Sequence, residues 1–117
     1  MIYNYIMNQI INLFICETAL IQLINCDKQY ELRLYRGIFT KMNEGDKIFL
    51  CNRLKNIKIL KKIEKIYKFN NIKELLLNLD IKKCLPFHTI NSGVEYFEDL
   101  YKNKYIDQYN VIAIKFC

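Results

Sequence analysis

The sequence predicts a single α+β domain, or a barrel with appended helices, within its 117 residues. Two observations predict it. Strand-like apolar runs fall at the start, middle and end of the chain, and helical spacing behind polar caps fills the stretches between them. With one proline (Pro86) and three glycines there are few breakers, so caps and turns must separate the elements. No repeat, low-complexity tract or linker divides the chain, and its length suits one core.

In chain order, Gln9 to Ile15 reads as a buried strand. Glu17 to Asn25 reads as a short helix with Leu20, Leu23 and Ile24 facing inward. Tyr30 to Tyr35 alternates: Leu32 and Leu34 share one face, and Glu31, Arg33 and Tyr35 share the other, which is solvated or functional. Asn43-Glu44-Gly45-Asp46 is a turn in which Gly45 is free to take positive φ. It leads into a strand from Lys47 to Cys51.

Between Lys55 and Lys68 two patterns compete. Ile59, Leu60, Ile63, Ile66 and Tyr67 fall at helical spacing, and periodicity by itself favours a helix. A strand would place Ile57, Ile59, Ile63 and Tyr67 on one face. Asn71 to Glu74 has capping-box spacing and opens a helix through Leu75, Leu76 and Leu79. Leu85-Pro86-Phe87 is a loop. Ser92 to Glu95 is a second capping box, and its helix carries Val94, Phe97 and Tyr101 on one stripe beside Leu100. The terminal strand, Asn110 to Phe116, directs Ile112, Ile114 and Phe116 into the core.

Composition bounds the function. An apolar share of 52% with 26% charged residues belongs to a globular chain. The net charge of +6 attracts an anionic partner, although charge of this size also serves solubility. Polar residues interrupt the apolar stretch from Met1 to Ile24, which argues against a membrane span, and it lacks the n-region and cleavage site of a signal peptide. Cys16, Cys26, Cys51, Cys84 and Cys117 form no C-x-x-C pair, and His88 has no metal-like spacing to them. Reduced, buried thiols in a cytoplasmic or nuclear protein are therefore expected, with neither metal nor cofactor. The abundance of Ile, Asn, Lys and Tyr points to an AT-rich genome.

Taken together, Lys28, Glu31 and Arg33, then Gly45-Asp46 before Ile48-Phe49, resemble the pattern of an ASCH domain. The apolar run from Ile57 to Tyr67, Asn71-Ile-Lys-Glu-Leu, Tyr101 and Val111-Ile-Ala-Ile extend the match from about Leu20 to Phe116. The resemblance implies a small PUA-like β-barrel with two to three flanking helices. It also implies a strand where periodicity favoured a helix, since a barrel lacking it could not close. One departure is that Cys26 stands where the family has glycine, so a requirement for positive φ would strain it.

ASCH domains are proposed to bind RNA in a cleft beside these residues. By resemblance, Lys28, Glu31, Arg33 and Tyr35, bordered by Asn52 and Arg53, would bind RNA or a nucleotide. The chemistry suits that ligand. Arg33 can hold a phosphate or base edge bidentately, Lys28 supplies a point charge, and Glu31 accepts an exocyclic amine. On a strand Glu31 and Arg33 lie about 6–7 Å apart along the chain, so they could equally form a plain ion pair. Tyr35, Tyr67, Tyr96, Tyr101, Tyr105 and Tyr109 could stack bases, although Tyr101 suits a core stripe. Lys58, Lys61, Lys62, Lys65 and Lys68 could track phosphates or simply form a solvated face, and His88 suits a loop.

Some bacterial relatives in that family are amidohydrolases acting on N4-acetylcytidine through a lysine, a threonine and a glutamate. Lys28 matches the lysine, but Glu31 occupies the threonine position, and a carboxylate cannot act as an activated hydroxyl. A carboxylate could still serve as general base for water. The sequence therefore favours RNA or nucleotide binding with an RNA-linked regulatory role. A small amidohydrolase acting on an acylated pyrimidine nucleoside and a protein-interaction module with a vestigial cleft are the alternatives.

Overall fold

The computed structural model describes residues 10–102 and 106–117. Gln9 and Tyr105 lie outside the described residues. Among the described residues six strands form two three-stranded sheets, with helices packed against them. In chain order the elements are β1 (Ile11–Phe14), α1 (Glu17–Ile24), β2 (Tyr30–Leu34), β3 (Lys47–Asn52), β4 (Ile57–Lys62), β5 (Lys65–Phe69), α2 (Ile72–Asn78), α3 (Ile81–Cys84), α4 (Ile90–Leu100) and β6 (Val111–Lys115). Short 3₁₀ turns at Gly37–Thr40 and Ile106–Gln108 complete the path.

One sheet runs β1-β3-β4, with β1 parallel and β4 antiparallel to β3. The other runs β2-β6-β5 and is antiparallel throughout. The segment for which helix and strand competed is strand, divided in two. β4 ends one sheet and β5 begins the edge of the other, across Ile63 and Glu64. Backbone bonds from Ile63 N to Asp46 O (2.8 Å) and from Glu64 N to Lys115 O (2.8 Å) tie that crossing to both sheets. The helical spacing of the run reflects side chains serving two sheets in succession. The charged edges suit the topology, since Lys58 and Lys62 on β4 and Lys65 and Lys68 on β5 are exposed and discourage edge-to-edge pairing.

β6 separates two cores. Val111 to Ile114 are all fully buried. Ile112 and Ile114 join Leu13, Ile48, Leu50 and Ile63, from both sheets, together with Leu20 and Leu23 of α1. Val111 and Ala113 instead meet Leu32, Leu34 and the helical residues Ile72, Leu75, Leu76 and Phe97. The alternation of a strand thus feeds a core on each face.

Several expectations change at this level. β1 is an edge strand rather than a buried one, with Phe14 and Asn12 exposed. Ile24, the last residue of α1, is 37% exposed rather than turned inward. Cys26 has φ +62, just past the Asn25 C-cap, so its side chain sits in the left-handed region that favours glycine. Gly45 takes φ +92 as the turn requires.

Asn71 caps α2 by accepting from Glu74 N at 2.8 Å. The cap of α4 is Thr89 rather than Ser92. Thr89 Oγ1 accepts from Ser92 N, and Ser92 Oγ accepts from Thr89 N, which places Ser92 inside the first turn. The earlier start brings Gly93 against Leu76, Leu85 and Ile81, where an added Cβ would lie 3.0–3.4 Å from their methyls.

The cysteine expectation is corrected. Cys26 and Cys117 form a disulfide that fastens the chain end to the turn after α1. Of the other three, Cys51 and Cys84 are buried thiols, whereas Cys16 is exposed. Among the described residues no helix is long and apolar enough to cross a membrane, and no group of three His, Cys, Asp or Glu could hold a metal ion.

Candidate functional site

β2 positions the charged residues singled out by the sequence. Its antiparallel register sets Glu31 opposite Ile114 and Arg33 opposite Ile112. Directly opposed side chains share a face, so Glu31 and Arg33 project on the side of the inter-sheet core, near its open end. That face is less solvated than its alternation suggested, with Glu31 only 7% exposed. Lys28, in the turn before β2, is 3% exposed.

The three charges form a connected cluster. Lys28 Nζ donates to the carbonyl of Cys84 at the end of α3 and lies 3.6 Å from Glu31 Oε1. Arg33 grips the other carboxylate oxygen, with Nη2 2.8 Å and Nε 3.2 Å from Glu31 Oε2. Nη2 also donates to Phe14 O at 3.1 Å, and the guanidinium lies 5.5 Å from the Phe39 ring centroid. Burial pulls the Lys28 ammonium below its usual pKa, against the opposing attraction of Glu31. Burial also pushes the neighbouring Cys84 thiol up to about 12, which keeps it protonated.

This ion cluster is not sealed off. It forms one wall of a cleft of about 570 Å³, large enough for a small organic ligand. The first turns of α1 contribute Cys16, Thr18 and Gln22, the loop after α3 contributes Phe87 and His88, and α4 contributes Tyr96, Leu100 and Tyr101. Tyr96 faces the charged wall. Burial, and after it Cys16 and the negative charge of Glu31, hold its hydroxyl above the ordinary phenol range. The His88 and Tyr96 rings meet at 4.9 Å between centroids, and His88 Nδ1 lies 3.1 Å from Ser92 Oγ.

The other sequence candidates lie around this cleft or away from it. Tyr35 is outside it, beneath Lys68 Nζ at 4.5 Å and against the inter-sheet core. Asn52 and Arg53 line a separate shallow hollow, which shares Ile15 and Cys16 with the main cleft. Asn52 Nδ2 donates to Ile15 O at 2.8 Å and its Oδ1 accepts from Lys55 N, so it braces the end of β3. Arg53 covers the Phe14 ring at 4.1 Å.

Tyr101 packs on Phe97, and its hydroxyl accepts from Leu34 N at 3.3 Å. Tyr67 meets Tyr30 edge-on. Tyr109 lies 5.8 Å from the Arg36 guanidinium. Of the described tyrosines in that set, Tyr96 and Tyr101 line the cleft, and Tyr96 carries the ring contact with His88. Sequence reasoning passed over Phe87, Thr18 and Gln22, which no motif marks; their place in the cleft comes from packing between distant segments.

Solved structures share this fold, two of them over nearly the whole chain. The crystal structure of the hypothetical protein PH0355 aligns with a TM-score of 0.78 at 22% sequence identity, over 92% of this chain and 96% of that one. The solution NMR structure of protein PF0455 from Pyrococcus furiosus aligns with a TM-score of 0.72 at 20% identity, over 92% and 94%. At these identities the likeness is one of fold. No protein-family model and no curated protein matches the chain.

Proposed function

We propose that the cleft beside Lys28, Glu31 and Arg33 binds RNA or a nucleotide, and that the chain is an ASCH-like domain with an RNA-linked regulatory role. The observation that carries this reading is the pairing of a charged wall with an aromatic one in a single cleft. Lys28 and Arg33 set two cations against the one carboxylate of Glu31, so the wall favours an anion. Across the opening, Tyr96 and His88 offer rings to a planar base. The net charge of +6 adds long-range attraction for a polyanion.

The finer fold assignment, a PUA-like barrel, belongs to the same proposal. It is supported by the passage of the chain from β4 directly into β5, which joins the edges of the two sheets. An intracellular site of action, cytoplasmic or nuclear, goes with an RNA-linked role. The Cys26–Cys117 disulfide weighs against it, since such bonds are rare in reducing compartments.

The geometry gives less to the hydrolytic alternative. Both oxygens of Glu31 are already engaged by Lys28 and Arg33, so the carboxylate is not free to orient a water as a general base must.

The test is titration of a single-stranded RNA at several salt concentrations with the protein and with Arg33→Ala. Affinity should fall steeply with added salt, and the variant should bind more weakly with a shallower slope. Affinity indifferent to both changes would overturn the proposal.

A further inference from the structure

We infer that Phe87, His88 and Tyr96 form a stacking rim that takes one unpaired nucleobase, so the ligand is a nucleotide unit presented singly rather than within a duplex. The inference rests on the proposed nucleotide reading and specifies which chemical form the cleft accepts.

Phe87 supplies the first observation. It is 97% exposed at the mouth of the cleft, and its backbone stands at φ +75. A bulky side chain in the left-handed region is strained, and a free phenyl ring in water forgoes the hydrophobic gain of burial. Both costs fall on one residue, and none of the described side chains covers its ring. Outliers of this kind concentrate at ligand clamps. A planar ligand seated in the mouth would cover the ring and offset the cost.

His88 and Tyr96 supply the second. Their rings are 4.9 Å apart, inclined at 38°, and Ser92 Oγ holds the imidazole through Nδ1. Ser92 is itself fixed by the Thr89 capping box, so the platform stands on a rigid helix start. A pre-positioned aromatic surface loses little entropy on binding.

The third observation is what lies beyond the rim. A base stacked on Tyr96 would have the Glu31–Arg33 pair before it. Arg33 uses Nε and Nη2 for Glu31 and Phe14 O, which leaves Nη1 for a phosphate or a base edge. A volume of about 570 Å³ accommodates one nucleotide and excludes a base pair with its flanking stack.

The test uses the full-length protein with three probes: cytidine monophosphate, a short single-stranded oligocytidylate, and a blunt RNA duplex of equal length. The single strand should bind, and the duplex should bind at least tenfold more weakly. Binding of cytidine monophosphate at comparable affinity identifies a free nucleotide as sufficient; preference for the strand identifies neighbouring phosphates as part of the ligand. Tyr96→Ala should lower affinity by about 5- to 150-fold, the range for loss of one stacking partner.

Phe87→Gly separates stacking from stability. Glycine relieves the positive φ, so the thermal midpoint should hold or rise while affinity falls. Equal affinity for strand and duplex, or affinity unchanged in both variants, would overturn the stacking rim and leave the nucleotide proposal standing. Failure of the unaltered protein to bind any of the three probes would overturn both.

Discussion

Lys28 and Glu31 face each other at 3.6 Å with their side chains only 4% and 9% exposed, so the Glu31 carboxylate offsets the burial of the Lys28 ammonium. Removing one partner of such a pair leaves an uncompensated charge, which costs about 3–5 kcal/mol. Glu31→Gln should lower unfolding stability by that order at neutral pH, as measured by urea denaturation. The double variant Lys28→Met/Glu31→Gln should lose less than Glu31→Gln does, because the stranded cation is gone. A loss in the double variant equal to the sum of the Lys28→Met and Glu31→Gln losses would show that the pair is not coupled. Arg33→Ala should cost less than Glu31→Gln, since the arginine side chain is 25% exposed and water screens it.

The thiols should divide by accessibility. Cys16 is exposed, Cys51 and Cys84 are buried, and Cys26 and Cys117 are bonded to each other. A thiol reagent applied to the native protein without reductant should therefore label one cysteine rapidly. Two more should follow on unfolding in denaturant, and the last pair only after reduction. Mass spectrometry of the labelled peptides assigns each step; rapid native labelling at Cys26 or Cys117 would contradict the disulfide.

That disulfide closes a span of 91 positions, so by chain entropy its loss should cost roughly 4–5 kcal/mol. Cys117→Ser removes the bond only. Cys26→Gly removes the bond and also relieves the φ +62 conformation, recovering about 1 kcal/mol. The glycine variant should thus be the more stable of the two in urea. The reverse order would mean that the left-handed turn carries no appreciable strain.

How much of this was legible in the chain depended on whether the signal was local. Leu32 and Leu34, the Gly45 turn and the Asn71 cap each obey a rule spanning a few residues, and each is present where that rule puts it. The segment from Ile57 to Phe69 defeated periodicity because one run supplies edge strands to two sheets. Ser92 has acceptable spacing for a cap, but Thr89 is selected because the added turn seats Gly93 against α2. At the candidate site, Lys28, Glu31 and Arg33 could be named from a short motif. Tyr96 was one tyrosine among several, and Phe87 carried no signal, because both reach the cleft through long-range packing of α4 and its loop.

The close seat of Gly93 gives a packing test. An added Cβ would lie 3.0 Å from Leu76 Cδ1 and 3.2 Å from Leu85 Cδ1. Alanine gains helix propensity while crowding flexible methyl ends, so the two effects oppose each other. Valine adds two further methyls to a filled space and loses part of the propensity gain. Gly93→Val should destabilise by about 1–3 kcal/mol in urea, and more than Gly93→Ala. A neutral valine would show that α2 and α4 can separate freely.

Alkaline pH should expose two opposed contributions from adjacent buried groups. Cys84 titrates at about 12 in the folded protein against 9.0 for the free thiol, so above pH 9 the unfolded chain gives up a proton that the folded chain keeps. Stability from this source is fully present below pH 9 and is lost as pH rises towards 12. Lys28 works the other way. Its folded pKa lies below 10.5, so between that lowered value and 10.5 the unfolded chain holds the extra proton and stability rises with pH. Urea midpoints measured from pH 7 to 11 should therefore fall less steeply than Cys84 dictates. Cys84→Ala should reduce the downward slope above pH 9, leaving the fall contributed by the raised phenols of Tyr30 and Tyr96, whatever its absolute cost in packing. Lys28→Met should steepen the same slope by deleting the opposing rise. Parallel pH profiles for all three proteins would refute burial of these two groups as the source of the dependence.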